Sequence, residues 1–430
     1  MSKFNFKSIN SFLLLFSLLL FAFTANEASA AKKKKSKGIS PELTKILASL
    51  TPLKGLQPAQ WRVIWTKDAS QEATVSWSTS EKGEKHTLYY DTKNHGEDVK
   101  KYSFKQACQR NGQYTLEKKE KEKVKPAHYH HASIKELKPN TKYFFVLESD
   151  GHLSRPFYFI SAPEKGTGFS AIHGGDSRSG HLARCQMNQF MASLMDENPK
   201  ITALIHGGDY IVSGRYWGQW RLWLSHHELT TGKDGRVLPI IAARGNHDGG
   251  PLYREVFNIE PKQNDWHTTF LGSDIAVVTL DTNVSAGGSQ SEWLEKELKA
   301  LRPKTKWLLT QYHKPLYPAV KKQPAHAKIF CPLFDKYNVD LACEADGHCI
   351  KRTIPIRDGK SDPTGVTYIG EGGLGVGQRN PKKDLWYLKG GAVGSDHHVM
   401  LLTFSDTDLE IKTLLLGGKV FDKHSLKVRK

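Results

Sequence analysis

Hydrophobic and polar residues alternate along Ala73-Thr74-Val75-Ser76-Trp77-Ser78-Thr79, a period of two that predicts a half-buried strand. Arg62-Val63-Ile64-Trp65, His86-Thr87-Leu88-Tyr89-Tyr90, Tyr143-Phe144-Phe145-Val146-Leu147 and Arg155-Pro156-Phe157-Tyr158-Phe159-Ile160 share its β-branched and aromatic content. Residues 60–163 therefore read as an all-β region. From Gly168 the texture changes. Short unbroken apolar runs (Phe169–Ile172, Ile201–Ile205, Val237–Ile241, Ile275–Leu280, Trp307–Leu309, Val339–Ala342) are separated by helical patterns such as Leu182–Met195. Unbroken runs mark strands covered on both faces, and the alternation predicts an α/β layered architecture. Trp217, Trp220 and Trp223 recur every third residue and read as the core face of a helix. Ser289 followed by Glu292 predicts a capping box at the start of another. Val366–Ile369 and Val399–Phe404 read as late strands, the first leading into a glycine-rich loop, Gly370 to Gly377.

The ends of the apolar runs carry the chemistry. Gly174-Gly175-Asp176 and Gly207-Gly208-Asp209 each deliver a carboxylate at a strand's carboxyl edge, where glycines allow a sharp turn. Gly245-Asn246-His247-Asp248, Tyr312-His313 and Asp346-Gly347-His348 follow later runs. One rim thus gathers hard oxygen and imidazole ligands and no thiolate, a set suited to a pair of divalent metal ions.

In this order the motifs resemble the calcineurin-like metallophosphoesterases. The region before them, including Leu137-Lys138-Pro139-Asn140-Thr141-Lys142-Tyr143, which resembles a fibronectin type III corner, is similar to the purple acid phosphatase-like branch. The resemblance covers residues 60–417. It implies a metallophosphoesterase layered sheet sandwich of α/β (α+β) class, preceded by an all-β fibronectin III-like sandwich. It also implies two divalent ions (Fe, Zn, Mn or Mg). Asp209 would bridge them, Asp176 and His348 would hold the first, and Asn246, His313 and Asp346 the second. A metal-bound hydroxide would then attack phosphorus. His247 would protonate the leaving oxygen with Asp248 orienting it, and His397 and His398 would contact substrate. The chain departs from the pattern at three places. Asp346 stands where the family has histidine, Arg178 where many relatives have a histidine ligand, and Val212 where purple enzymes have a metal-bound tyrosine. Arg178 has three readings: a bidentate phosphate clamp, a stand-in for the first cation, or a structural partner of a carboxylate.

Length and charge refine the picture. A chain of 430 residues accommodates two domains, here 60–163 and 168–417, with a basic tail at 418–430. Lys3 and Lys7 before an apolar run, then Ala28-Ser29-Ala30, predict a signal peptide over 1–30 and hence a secreted or periplasmic protein. The linker 31–59 carries Lys32 to Lys35 and Lys37, which predict contact with an anionic envelope surface or a solvated segment. The mixed-sign run 117–125 reads as a solvated loop. The net charge of +18 favours phosphate-bearing substrates without singling out nucleic acid. Of five cysteines, Cys343 and Cys349 bracket the last motif, and both a local bridge and free thiols fit that spacing. The expected function is hydrolysis of small phosphate monoesters. Phosphodiester hydrolysis is one alternative, and metal or anion binding without turnover is another.

Overall fold

The structure, a computed structural model, describes residues 39–166 and 168–429. The predicted signal peptide and the lysine run after it lie outside the described residues. The alternating stretch forms the strand Ala73–Thr79, but both its faces are covered. Val75 and Trp77 enter the main apolar core. On the other face Ser76 Oγ bonds His131 Nδ1 at 2.7 Å, and Ser78 Oγ meets the Tyr114 hydroxyl at 3.0 Å. Buried hydroxyls are tolerated because their hydrogen bonds are made. Opposite this layer stands a five-stranded sheet that includes His86–Asp91, Phe104–Ala107, Lys142–Ser149 and Phe157–Ile160. The Tyr143 hydroxyl accepts a bond from the Lys138 amide at 2.6 Å and so ties its strand to the preceding turn.

This β-sandwich is not set apart from the layers that follow. Ile64, at the end of Ala59–Ile64, pairs in parallel with Ile240, and the Trp65 amide donates to the Ile240 carbonyl at 3.0 Å. One ten-stranded sheet therefore runs from Arg110–Gln113 through His128–Ile134, Ala73–Thr79 and Ala59–Ile64 into Ile240–Ala242, Ile201–His206 and Ser170–Gly174. It ends on His398–Phe404, Asp408–Leu415 and Val420–Lys427. Within the segment expected as a tail, Val420–Lys427 thus supplies an edge strand, and the expected linker contains the helix Pro41–Ala48.

A seven-stranded sheet faces the first. Its centre is parallel: Ile275–Thr279, Trp307–Gln311, Leu341–Cys343 and Thr367–Gly370. Ala171, Ala203, Ile205, Ile241, Val277, Leu309 and Leu341 fill the space between the sheets. The alternate residues Ile172, Leu204 and Ile240 meet Met187, Met191, Trp217, Trp220 and Trp223 from the helices His181–Glu197 and Trp217–His227. Ala276, Val278 and Leu308 meet the helices Ser289–Leu301 and Ala327–Lys336 on the other side. The order helix, sheet, sheet, helix explains the unbroken apolar runs, since each strand has apolar neighbours on both faces.

Three local expectations change. Gly288, at φ 75°, takes the cap position before Ser289, whose side chain makes no capping bond. Glu120, within the charged run, is buried; it accepts bonds from the amides of Trp217 and Gly218 at 3.0 and 2.9 Å and caps that helix. All five cysteines are free, so Cys343 and Cys349 form no bridge. Among the described residues no helix is long and apolar enough to cross a membrane.

Candidate metal centre

Parallel strands bring their carboxyl ends to one rim. Asp176 follows Ser170–Gly174, Asp209 follows Ile201–His206, Asn246 follows Ile240–Ala242, His313 follows Trp307–Gln311, and Asp346 and His348 follow Leu341–Cys343. Asp176, Asp209, Asp346 and His348 all take positive φ, between 58° and 68°. Non-glycine residues avoid that region because Cβ crowds the backbone, and such conformations concentrate at functional sites. Glycine is required beside them. A Cβ on Gly372 would lie 1.9 Å from Asp176 Oδ2, and one on Gly245 would lie 2.2 Å from Asp209 Oδ1.

Ligand atoms of Asp176, Asp209, His313 and Asp346 all lie within 4.8 Å of one another, and the four residues are buried. His313 Nδ1 donates to the Gly207 carbonyl at 2.8 Å, which turns Nε2 inward. There Nε2 sits 3.0 Å from Asn246 Oδ1, 3.3 Å from Asp209 Oδ1 and 3.4 Å from Asp346 Oδ1. His348 Nε2 lies 3.2 Å from Asp176 Oδ1, whose partner oxygen Oδ2 accepts the Asp346 amide at 2.7 Å. Arg178 Nε lies 3.4 Å from Asp209 Oδ2, and His247 Nε2 3.9 Å from the same atom. The Lys321 ammonium donates to Asp346 Oδ1.

Burial pushes the Asp209 carboxyl up, but His313, His247 and the His247 amide hold it down at about 2. Burial likewise opposes ionisation of Asp346, yet His313 and Lys321 keep it well below the usual carboxylate range. Burial works against charge on His313 too, and Asp209, Asp346 and Asp176 overcome it and raise the imidazole well above its ordinary value. These are ionised carboxylates gathered around a few cationic donors. Two of their oxygens, Asp176 Oδ1 and Asp209 Oδ2, are buried and accept no hydrogen bond. A buried carboxylate oxygen left in that state is costly unless a cation meets it. The residues therefore fit a metal ion: Asp176, Asp209 and His348 around the two orphaned oxygens, with Asn246, His313 and Asp346 on the other side of Asp209.

Two expectations for the site are corrected. Asp248 does not orient His247. Its carboxylate accepts the amides of Gly245, Asp209 and Tyr210 at 2.7, 2.8 and 3.0 Å, and burial with the nearby Asp209 charge raises it to about 7. The role falls to a backbone group, because His247 Nδ1 donates to the Val212 carbonyl at 2.6 Å. His398 is buried, its Nδ1 bonded to the Asp396 carbonyl at 2.9 Å and its value lowered to about 4 by burial, so it does not reach substrate. His397 is half-buried, its Nδ1 3.2 Å from the Gly373 carbonyl of the glycine loop, whose Gly372 packs on Asp176. The tyrosine beside Asp209 points away, with the Tyr210 hydroxyl on the Ala243 carbonyl at 3.1 Å.

Sequence reasoning missed two features. One is Lys321, which the charge pattern presents as an ordinary surface lysine. The other lies beneath the rim. Lys351, fully buried, pairs with Glu344 and, at 2.9 Å, with Glu371. Glu344 also accepts the Tyr312 hydroxyl at 2.8 Å and the Leu316 amide at 2.6 Å, while Glu371 accepts the Ala319 amide at 2.8 Å. The sequence gives little hint of it, because Lys351 lies in the short strand Ile350–Arg352 beside Arg352 and reads as a surface residue.

Comparison with known proteins agrees with this arrangement. Residues 58–161 match the purple acid phosphatase N-terminal domain, and residues 169–349 match the calcineurin-like phosphoesterase domain. Over 290 residues the chain is 26% identical to Fe(3+)-Zn(2+) purple acid phosphatase 12 of Arabidopsis thaliana, covering 58% of this chain and 60% of that protein. Over 294 residues it is 26% identical to purple acid phosphatase 1 of Ipomoea batatas, with the same coverage of 58% and 60%. The match thus spans about 60% of the length of these two relatives. Among solved structures, purple acid phosphatase PPD1 from yellow lupin (Lupinus luteus) seeds superposes with a TM-score of 0.70, covering 86% of this chain and 74% of that one. At 19% identity that is a likeness of fold. The chain thus carries a purple acid phosphatase N-terminal domain followed by a calcineurin-like phosphoesterase domain, and the clustered Asp and His side chains lie within the second.

Proposed function

We propose that the chain is an exported, metal-dependent phosphatase that hydrolyses phosphate monoesters. The observation that carries this reading is the pair of orphaned oxygens, Asp176 Oδ1 and Asp209 Oδ2, with a guanidinium N–H beside them that makes no hydrogen bond: Arg178 Nε is buried, 3.4 Å from Asp209 Oδ2. Ions bound at the cluster would supply positive charge for phosphoryl oxygens and lower the pKa of water. The chain's own groups would do the rest. Arg178 is held at the cluster by the Asp209 charge, with an N–H free for a phosphoryl oxygen, and a fork of this kind favours a doubly charged terminal phosphate over a diester. His247 is fixed by Val212 through Nδ1, so Nε2 is the atom that would give a proton to a leaving oxygen. His313, locked by the Gly207 carbonyl, keeps Nε2 directed at the cluster.

The test is turnover of 4-nitrophenyl phosphate against bis(4-nitrophenyl) phosphate, with Fe, Zn, Mn or Mg supplied and with chelator. Monoester cleavage abolished by chelator is the expected result. Preference for the diester would move the function to phosphodiester hydrolysis. Cleavage of neither would leave a metal- or anion-binding relative, the reading to which Arg178 and Val212 lend weight. Export rests on residues 1–30, and a mature chain beginning after Ala30, read by mass spectrometry, is the expected product.

A further inference from the structure

The two sides of the cluster are not equally in need of an ion. On the side of Asp176 and His348, Asp176 Oδ1 and Asp209 Oδ2 accept no hydrogen bond. On the other side three oxygens have donors from the chain. Asn246 Oδ1 meets His313 Nε2, Asp209 Oδ1 accepts the His247 amide at 2.9 Å, and Asp346 Oδ1 receives the Lys321 ammonium. Lys321 does not reach Asp346 from a loose loop. The Ala319 amide donates to Glu371 Oε1 at 2.8 Å and the Ala319 carbonyl accepts the Lys382 amide at 2.9 Å. The Pro318 carbonyl accepts the Tyr387 hydroxyl at 2.8 Å, and Gln323 Nε2 donates to the Leu316 carbonyl at 2.8 Å. Four bonds therefore fix the segment on both sides of Lys321. The lysine enters a cavity of about 330 Å³ bordered by Asn246, Lys314, Lys322, Pro324 and Asp346.

We propose that Lys321 is a built-in cation at the second metal position. The chain then holds one divalent ion tightly between Asp176, Asp209 and His348, and admits a second only by displacing the Lys321 ammonium from Asp346. This rests on the metal-centre reading above and refines it. The charges agree with it: the carboxylate Asp346 adds a negative charge to the second ligand set, and Lys321 returns a positive one at the same oxygen. An ion entering that set must break a charge-assisted hydrogen bond before it gains a ligand, whereas an ion entering the first set breaks no hydrogen bond at the two orphaned oxygens and meets the longer Arg178 contact, 3.4 Å from Asp209 Oδ2.

The experiment is calorimetric titration of the metal-stripped full chain with Zn²⁺ and, separately, Mn²⁺, for wild type, Lys321→Met and Lys321→Gln. Circular dichroism on each variant checks the fold. The expected wild-type isotherm has two steps, the second weaker by about tenfold or more, the scale on which partners of a metal ligand alter affinity. In both variants the second step tightens by about tenfold while the first is unchanged. Two equal steps in wild type, or a second step that stays put or weakens in the folded variants, would overturn the proposal. Ester hydrolysis is not the readout. A chain that cleaves no ester yet shows the Lys321-dependent step keeps this inference and loses the proposed function, and hydrolysis with an unmoved second step does the reverse.

Discussion

Two clusters of acids and cations sit a few residues apart in this protein and behave differently. At the rim, Asp176, Asp209 and Asp346 face Arg178, His313, His348 and Lys321, and two carboxylate oxygens stay without hydrogen bonds. Beneath it, Lys351 lies between Glu344 and Glu371, with a tyrosine hydroxyl and two backbone amides completing most of the bonding. Glu371 Oε2 is left without a hydrogen bond there too, but Lys351, Glu344 and Glu371 are fully buried, so no ligand reaches the lower cluster and it fixes structure. The rim borders a cavity lined by Asn246 and Asp346, so a ligand can reach its carboxylates. Neither burial nor an unmet hydrogen bond alone separates a functional site from a structural ion cluster; access to a ligand does.

The sharpest way to break this contrast is Asp209→Asn. Loss of the shared carboxylate should lower phosphomonoester turnover on the order of 10³-fold or more, since charge stabilisation at such centres is worth several kcal/mol. Chelator should lower the melting temperature of the wild type and leave that of the variant unmoved. Lys351→Met tests the other cluster. Two buried glutamates would lose their shared cation, which should cost about 3–5 kcal/mol in denaturant unfolding, equally with and without metal. A metal-dependent loss would mean the two clusters are one.

Glu228 gives a third case, a buried carboxylate with amides and no cation in bonding contact. It accepts the Gln60 and Thr51 amides at 2.5 and 3.3 Å, but burial dominates and raises it from 4.5 to about 7. The folded chain keeps a proton that the unfolded chain releases above pH 4.5. The stability this group gives is complete below pH 4.5 and is lost as pH rises through about 7. Wild type should therefore lose about 3 kcal/mol more than Glu228→Gln between those limits, read from urea midpoints across pH. The smallest effect expected is for His247→Ala. Turnover of an alkyl phosphate should fall about 10²-fold, and that of 4-nitrophenyl phosphate less, because its leaving group needs little protonation. Equal losses on both esters would remove His247 as the acid.

Much of this was legible in the sequence because it is local. Apolar runs ending in Gly-Gly-Asp placed Asp176 and Asp209 at strand ends, and the same pattern placed Asn246, His313, Asp346 and His348. What was not legible depends on contacts distant along the chain. Asp248 sits next to His247 in sequence, but its carboxylate is spent on the Asp209 loop while the Val212 carbonyl holds the imidazole. Glu120 lies in a charged run that reads as solvated, yet it caps a helix that begins at Trp217. Ala73–Thr79 alternates as a half-exposed strand should, and only the neighbouring His131 and Tyr114 show that its polar face is buried too.

The pairing of Ile64 with Ile240 means that the β-sandwich is no detachable appendage. A fragment starting near Gly168 would strip a neighbour from Ile240–Ala242 and leave unpaired amides and carbonyls along the strand that leads to Asn246 and His247. The module that carries no catalytic side chain therefore acts as a splint for the one that does, and changes in its first strand should be felt four residues beyond Ala242.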